Sequence, residues 1–222
     1  MKSILITLLF VSTIAFSQVN QIGNLQDVYT LKNDIELSAS YNSKNVKGSP
    51  FLHSDYQNIK IKGVMMKGKY NANRDYIEVD NNGEIIFFVP SMEHRYDVLF
   101  TDINDTYRAF EYENLKFGFF KILANKGNAF LLTRQFIKFT PEKKPKSNFE
   151  ILKPAKFERK KDVHYIKLNN QDIVIELPTR KSKFLKVFGS KANSIKSFIK
   201  KEKLGIKKNE DLIKIFNFYN SL

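Results

Sequence analysis

No cysteine and no tryptophan occur anywhere in the 222-residue chain. Without cysteine there is no disulfide framework, no thiolate zinc site, no cysteine nucleophile and no cysteine-linked lipid anchor. Glycine and proline are sparse, at 9 and 6 residues. The sequence also lacks the motifs of several enzyme classes. It has no Gly-x-Ser-x-Gly elbow and no phosphate-binding Gly-x-x-x-x-Gly-Lys loop. Its three histidines, His53, His94 and His164, stand at no ligand spacing. Ser197-x-x-Lys200 matches the Ser-x-x-Lys pattern of penicillin-recognising enzymes, but Ser-Asp-Asn and Lys-Thr-Gly are missing.

What the chain has is charge of one sign and aromatic rings. It carries 37 Lys and Arg against 23 Asp and Glu, a formal charge of +14, with 20 phenylalanines and 10 tyrosines. An apolar content of 42 % supports a folded core. The charge is uneven. Residues 1–120 hold 12 basic and 14 acidic residues, whereas residues 121–222 hold 25 and 9. Such an excess is the electrostatic footprint of an anionic partner, although solubility alone can also require it.

Residues 1–17 read as a signal peptide. Lys2 supplies the positive start, Ile4 to Phe16 the apolar stretch, and Ala15-Phe16-Ser17 the small residues for cleavage after Ser17. Thirteen apolar-region residues fall short of the roughly 20 that a membrane helix needs. The expected product is exported and soluble, periplasmic or secreted. In that compartment the anionic partner is a lipid phosphate or an acidic glycan rather than nucleic acid. A disulfide-free exported protein is compatible with a bacterial envelope.

Residues 18–45 form a polar N-terminal arm, followed by an antiparallel β domain over 46–189. Asn81-Asn82-Gly83 joins Tyr76–Asp80 to Glu84–Val89 as a hairpin. Further hairpins join Tyr96–Thr101 to Tyr107–Tyr112, Phe117–Ala124 to Ala129–Phe139, and Val163–Leu168 to Ile173–Leu177. With Ile59–Lys62, Val64–Tyr70 and Phe184–Phe188 this gives about nine or ten strands in meander order, hence a mainly β fold, barrel or sandwich. Both faces of Phe117–Ala124 are apolar, so that strand is expected at the centre. In the last strand Ile173, Ile175 and Leu177 share one face, with Val174 and Glu176 opposite. Residues 140–162, with three prolines and many lysines, read as a basic exposed loop tethered by Phe149, Ile151, Leu152 and Phe157.

Residues 190–222 form a helical hairpin packed on the β domain. Ile195, Phe198, Ile199 and Leu204 make one apolar stripe, and Leu212, Ile213, Phe216 and Tyr219 the other. Gly205 is the expected C-terminal cap of the first helix and Asn209 the N-cap of the second.

The segment Lys47-Gly48-Ser49-Pro50-Phe51-Leu52, then Lys69-Tyr70-Asn71, Asp75 and Ile77-Glu78-Val79, and the lysine-rich Ser197–Leu204 end resemble small exported envelope proteins of Gram-negative bacteria whose function is unknown. The resemblance spans Val46 to Leu222. It implies that Gly48-Ser49-Pro50 opens the domain and that Tyr70, Asn71, Asp75 and Glu78 belong to one structural element. It brings no activity, cofactor or catalytic residue.

The expected function is therefore a non-enzymatic binding or scaffold protein of the envelope, with no cofactor and no metal. Lys143, Lys144, Lys146, Lys160, Lys161, Lys200 and Lys201 are its candidate contacts to an anionic ligand. Two alternatives stand beside it. One is a carrier that shields an apolar ligand in a Phe-lined, half-open barrel. The other is an envelope hydrolase in which Asp75, Glu78 or Glu111 converge with a histidine. Asp102, Asn104 and Asp105 are better read as a polar hairpin tip than as a calcium loop.

Overall fold

The computed structural model describes residues 46–222 apart from 82, 146 and 148–150. The expected signal peptide, the N-terminal arm, Lys146 and Phe149 lie outside the described residues. Tight turns dictate the first half of the fold. β1 (Gln57–Ile61) and β2 (Val64–Asn71) are joined across Lys62-Gly63, both at positive φ. β3 (Tyr76–Asn81) and β4 (Glu84–Phe88) are joined at Gly83, whose N–H donates to Asp80 Oδ1 at 2.7 Å. β5 (Val98–Phe100) then returns beside β1. β6 (Asp105–Glu113), β7 (Lys116–Ala124) and β8 (Ala129–Arg134) continue as a meander.

β11 (Val163–Leu168) and β12 (Ile175–Glu176) complete a ten-stranded antiparallel sheet of order β12-β11-β8-β7-β6-β5-β1-β2-β3-β4. β9 (Ile137–Thr140) and β10 (Lys156–Arg159) pair separately as a two-stranded ribbon. The sheet is not closed by strand pairing. The mainly β, antiparallel expectation is met, with a C-terminal helical part of α1 (Lys181–Lys186), α2 (Ala192–Lys201) and α3 (Asn209–Asn220).

Three cores follow from period-two alternation along the strands. On one face Ile59, Ile61, Ile77, Val79, Phe88, Val98, Phe100, Tyr107, Ala109 and Phe119 pack together. The contact of Phe88 on β4 with Phe119 on β7, 5.6 Å between ring centres, means that the sheet curls back on itself. Farther along the same face, Ala124, Leu131 and Ile166 meet the helices through Phe184, Phe188, Ile195, Ile199, Leu212, Ile215 and Phe216. The opposite face holds Phe110, Phe120, Leu132 and Val174. β7 is thus covered on both sides, with Phe119 and Phe120 fully buried, as its composition predicts.

Several local expectations change. Phe184–Phe188 is not a strand: α1 covers most of it. Four apolar residues in five fit either period, and here Phe184 and Phe188, one helical turn apart, enter the same core. The helical unit therefore begins near residue 181, not 190. In the last hairpin Val174 lies opposite Ile173 and Ile175 as the alternation expects, whereas Leu177 is buried and does not share their exposure. Val174 is buried and Ile173 and Ile175 are exposed, because the Val174 N–H donates to Glu111 O on β6 at 2.8 Å and carries its side chain into the third core.

Residues 140–162 are not simply a loop. Lys143 and Lys153 exchange two backbone hydrogen bonds, and β10 pairs with β9. Phe157 tethers this ribbon to the first core, while Ile151 and Leu152 are exposed. Helix α2 closes two residues earlier than Gly205: Lys203 takes φ +54°, and Leu204 N–H donates to Ile199 O at 3.0 Å in a Schellman closure. Asn209 is the first residue of α3 and not its cap.

The helices are fastened at their far end by one side chain. The Asn220 amide donates to Ala129 O at 2.9 Å and accepts from Ala129 N–H at 2.8 Å. It thereby completes a strand terminus in place of another backbone. Asn220→Ala is expected to destabilise the fold by about 1–3 kcal/mol, since two partly buried backbone groups lose their partner. Urea denaturation of the variant against wild type measures this.

Candidate anion-binding surface

The candidate surface is defined by which charges find partners and which do not. The partners come from the β domain. The β2–β3 connection is shaped by Asn71, whose Oδ1 accepts the N–H groups of Asn73 and Arg74 at 3.1 and 3.0 Å and whose amide donates to the Tyr76 hydroxyl at 2.9 Å. This turn puts Asp75 at φ +60°, which a short polar side chain tolerates. The Asp75 carboxylate then accepts three donors: Tyr70 Oη at 2.7 Å, an Arg134 guanidinium N–H at 2.7 Å and Phe119 N–H at 3.2 Å. Gly118 makes room for the pair. A Cβ there would lie 2.9 Å from Arg134 Cζ and 3.0 Å from Asp75 Oδ2.

Arg134 also lies over the Tyr112 ring at 4.2 Å and near Phe136 and Phe120. Its side chain is 12 % exposed and that of Asp75 20 %. Burial pushes the Asp75 carboxyl above its ordinary range, and Arg134, Tyr70 and Phe119 N–H pull it back. Burial and the neighbouring Asp75 push the Tyr70 hydroxyl well up. The resemblance grouped Tyr70, Asn71, Asp75 and Glu78; hydrogen bonds tie Tyr70 to Asp75 and Asn71 to the turn between them, whereas Glu78 bonds Lys69 and Tyr56 instead. Sequence reasoning missed Arg134, which stands 59 residues from Asp75.

The other acids are engaged separately. Glu78 pairs with Lys69 at 3.1 Å and accepts the Tyr56 hydroxyl. Lys69 in turn lies between the Phe51 and Tyr56 rings. Glu111 accepts Leu115 N–H at 2.9 Å. Asp102 accepts from Asn58 N–H and Nδ2, and Asp105 pairs with Lys121 at 2.6 Å. Among the described residues no group of three or more His, Asp or Glu is arranged to hold a metal ion. The phenylalanines that suggested a lined cavity face one another instead, as in Phe110–Phe120 at 6.1 Å and Phe88–Phe119.

The unpartnered charges lie elsewhere. Residues 180–222 carry twelve Lys and Arg and three Asp and Glu. All twelve cations are exposed, and among the described residues none enters an ion pair. Of the three acids, Asp211 is occupied by Gly205 N–H at 3.0 Å. The helices turn most of their apolar residues to the sheet, and the lysines lie at the surface among a few polar and acidic residues.

The sequence-derived contacts are distributed over this pattern. Lys200 and Lys201 are exposed in the last turn of α2. Lys143 and Lys144 are exposed on the excursion beside β9. Lys160 and Lys161, between β10 and β11, are exposed, and Lys160 pairs with Glu158 at 2.5 Å. These three groups sit on different elements. Sequence counting found the basic half but did not see that the ribbon neutralises part of its charge through Glu158 and Asp162.

No family model, curated protein or solved structure matches the chain.

Two measurements test this division of charges. Arg134→Met should cost about 3–5 kcal/mol, because it leaves a largely buried carboxylate without its cation. Pairing it with Asp75→Asn should recover part of that loss in a double-mutant cycle, whereas strict additivity would show that the two groups do not interact. The second concerns His164, whose Nδ1 is buried without a partner. Burial lowers its proton affinity below the ordinary value of 6.5, Lys161 adding to this and Asp162 opposing it. The unfolded chain therefore binds the proton first. The His164 contribution is full above pH 6.5 and declines as pH falls through that value toward the lowered one. The stability difference between wild type and His164→Gln, followed from pH 7.5 to 5, should fall on acidification.

Proposed function

We propose that this chain is a non-enzymatic binding protein of the bacterial envelope, in which the curled sheet is the scaffold and the basic helical unit engages an anionic component there. One observation carries the reading: twelve exposed cations over residues 180–222 without an ion pair among the described residues. In the β domain and ribbon, by contrast, Lys69, Arg108, Lys116, Lys121, Arg134, Lys156, Arg159 and Lys160 each enter an ion pair, although others there, such as Lys60, Lys62 and Lys67, do not among the described residues. Sustained like charge on a small helical unit repels itself. Lysines kept at that cost are supported best by a polyanionic partner.

Export rests on the Lys2, Ile4–Phe16 and Ser17 pattern, and it favours a lipid phosphate or acidic glycan over nucleic acid. The non-enzymatic reading is supported by the acids, since Asp75, Glu78 and Glu111 each satisfy a different set of partners. The ribbon lysines Lys143, Lys144, Lys160 and Lys161 are secondary contributors in this reading.

Retention on a polyphosphate resin across a salt series tests it. Wild type should elute later than a Lys196, Lys200, Lys201→Gln triple variant. A charge-matched triple variant in the β domain, Lys60, Lys62, Lys67→Gln, should elute close to wild type. Equal losses in the two variants, or retention that ignores salt, would overturn the proposal.

A further inference from the structure

The helical unit carries an aromatic pair at the margin of the second core, against which Phe218 packs while Phe198 does not. Phe198 of α2 and Phe218 of α3 stack with ring centres 4.1 Å apart and planes 9° from parallel. The other aromatic contacts of this unit are steeply tilted: Phe184–Phe188 at 64°, Phe188–Phe216 at 69° and Phe188–Tyr219 at 65°. The ring quadrupole favours either edge-to-face or offset-stacked pairs. The Phe198–Phe218 pair bridges two helices as a flat strip, and both rings remain partly exposed. Phe198 belongs to none of the buried clusters.

The strip borders an open groove of about 600 Å³ lined by Asn193, Ser194, Ser197, Phe198, Lys201 and Phe218. No acid lines it. Leu222 nearby in the chain is 43 % exposed, and its carbonyl accepts from Lys191 Nζ at 3.4 Å. Lys201 is the cation in this lining, and the other exposed lysines of the same helical unit add to its positive charge; half-exposed rings beside cations with long aliphatic stems are what an interfacial membrane contact consists of. The rings enter the boundary between headgroups and acyl chains, and the lysines extend to phosphates. Each lysine near an anionic surface adds attraction, so many dispersed cations suit a plane of phosphates better than one discrete anion.

We infer that the Phe198–Phe218 strip and the surrounding lysines form a docking surface for an anionic phospholipid membrane. This rests on the anion-binding role proposed above and names its partner.

The absence of tryptophan from the chain supplies the test. Phe198→Trp places a single reporter in the strip of the full chain. Ile85→Trp, at an exposed β4 position, is the control. Each is titrated with vesicles of brominated phosphatidylcholine containing roughly 30 mol % phosphatidylglycerol, and with the same vesicles lacking the anionic lipid. The proposal expects a blue shift and quenching at position 198 with anionic vesicles, at least about tenfold weaker with neutral ones, and no quenching at position 85. Phe218→Trp should behave as Phe198→Trp does and guards against a folding defect in either variant.

Equal quenching at 85 and 198, or none at 198 and 218 although the protein sediments with vesicles, would overturn the docking surface while leaving the anion-binding role. Salt-sensitive retention on polyphosphate without any vesicle binding would do the same. Loss of both would remove the role and the surface together.

Discussion

The ion pair between Asp75 and Arg134 is the contact through which the parts of this fold are held in register. It lies across β7 at Gly118, the one place on that strand where a side chain would fill the space. On one side Tyr70 carries the network into the first core. On the other, Arg134 lies over Tyr112 and Phe120, which belong to the third. A charge pair so placed is costly to desolvate, and its gain in net stability is small. What it supplies is specificity. A sheet of ten strands with apolar residues on both faces has many near-equivalent ways to curl, and a single buried carboxylate with three required donors admits few of them.

The neighbouring turn shows how that requirement is met locally. Asn71 closes the β2–β3 connection with its side chain, and Asn73 donates to Ile137 O, fixing the start of the β9–β10 ribbon against the same turn. Ile137 N–H donates back to Ala72 O. The ribbon thus covers one end of the first core, while α1 to α3 cover the adjoining stretch of the same sheet face through Leu131 and Ile166. These two additions differ in charge. The ribbon pairs Lys156 and Lys160 with Glu158 and Arg159 with Asp162. The helices leave their lysines to solvent, and among the described residues none of these enters an ion pair.

Much of this was legible in the chain. Hairpins between neighbouring strands depend on turn residues and alternation within about 20 residues, so β1–β2, β3–β4, β5–β6 and β7–β8 follow directly. The centrality of β7 followed from Phe119 and Phe120 having nowhere polar to face. The segments that went astray are those where two periods fit equally. Phe184 to Phe188 is apolar enough for strand or helix. In Ile173–Leu177 alternation separated Val174 from Ile173 and Ile175 but did not say which side is buried; the hydrogen bond to β6 accompanies burial of Val174.

By itself the sequence determined the fold class, the turns and the concentration of positive charge after residue 120. These are properties of composition and of short-range pattern, which act on a residue through its near neighbours in the chain. Only the tertiary structure decided which charges are cancelled and which are left free. Arg134 is matched by an aspartate 59 residues away, and Lys121 by Asp105 on the adjacent strand. Among the described residues the twelve cations of the helical unit enter no ion pair, because the helices place their buried apolar residues on the sheet and leave their lysines at the surface. Ion pairing falls off with distance in space, not along the chain, so the free charge becomes visible only once the strands are placed.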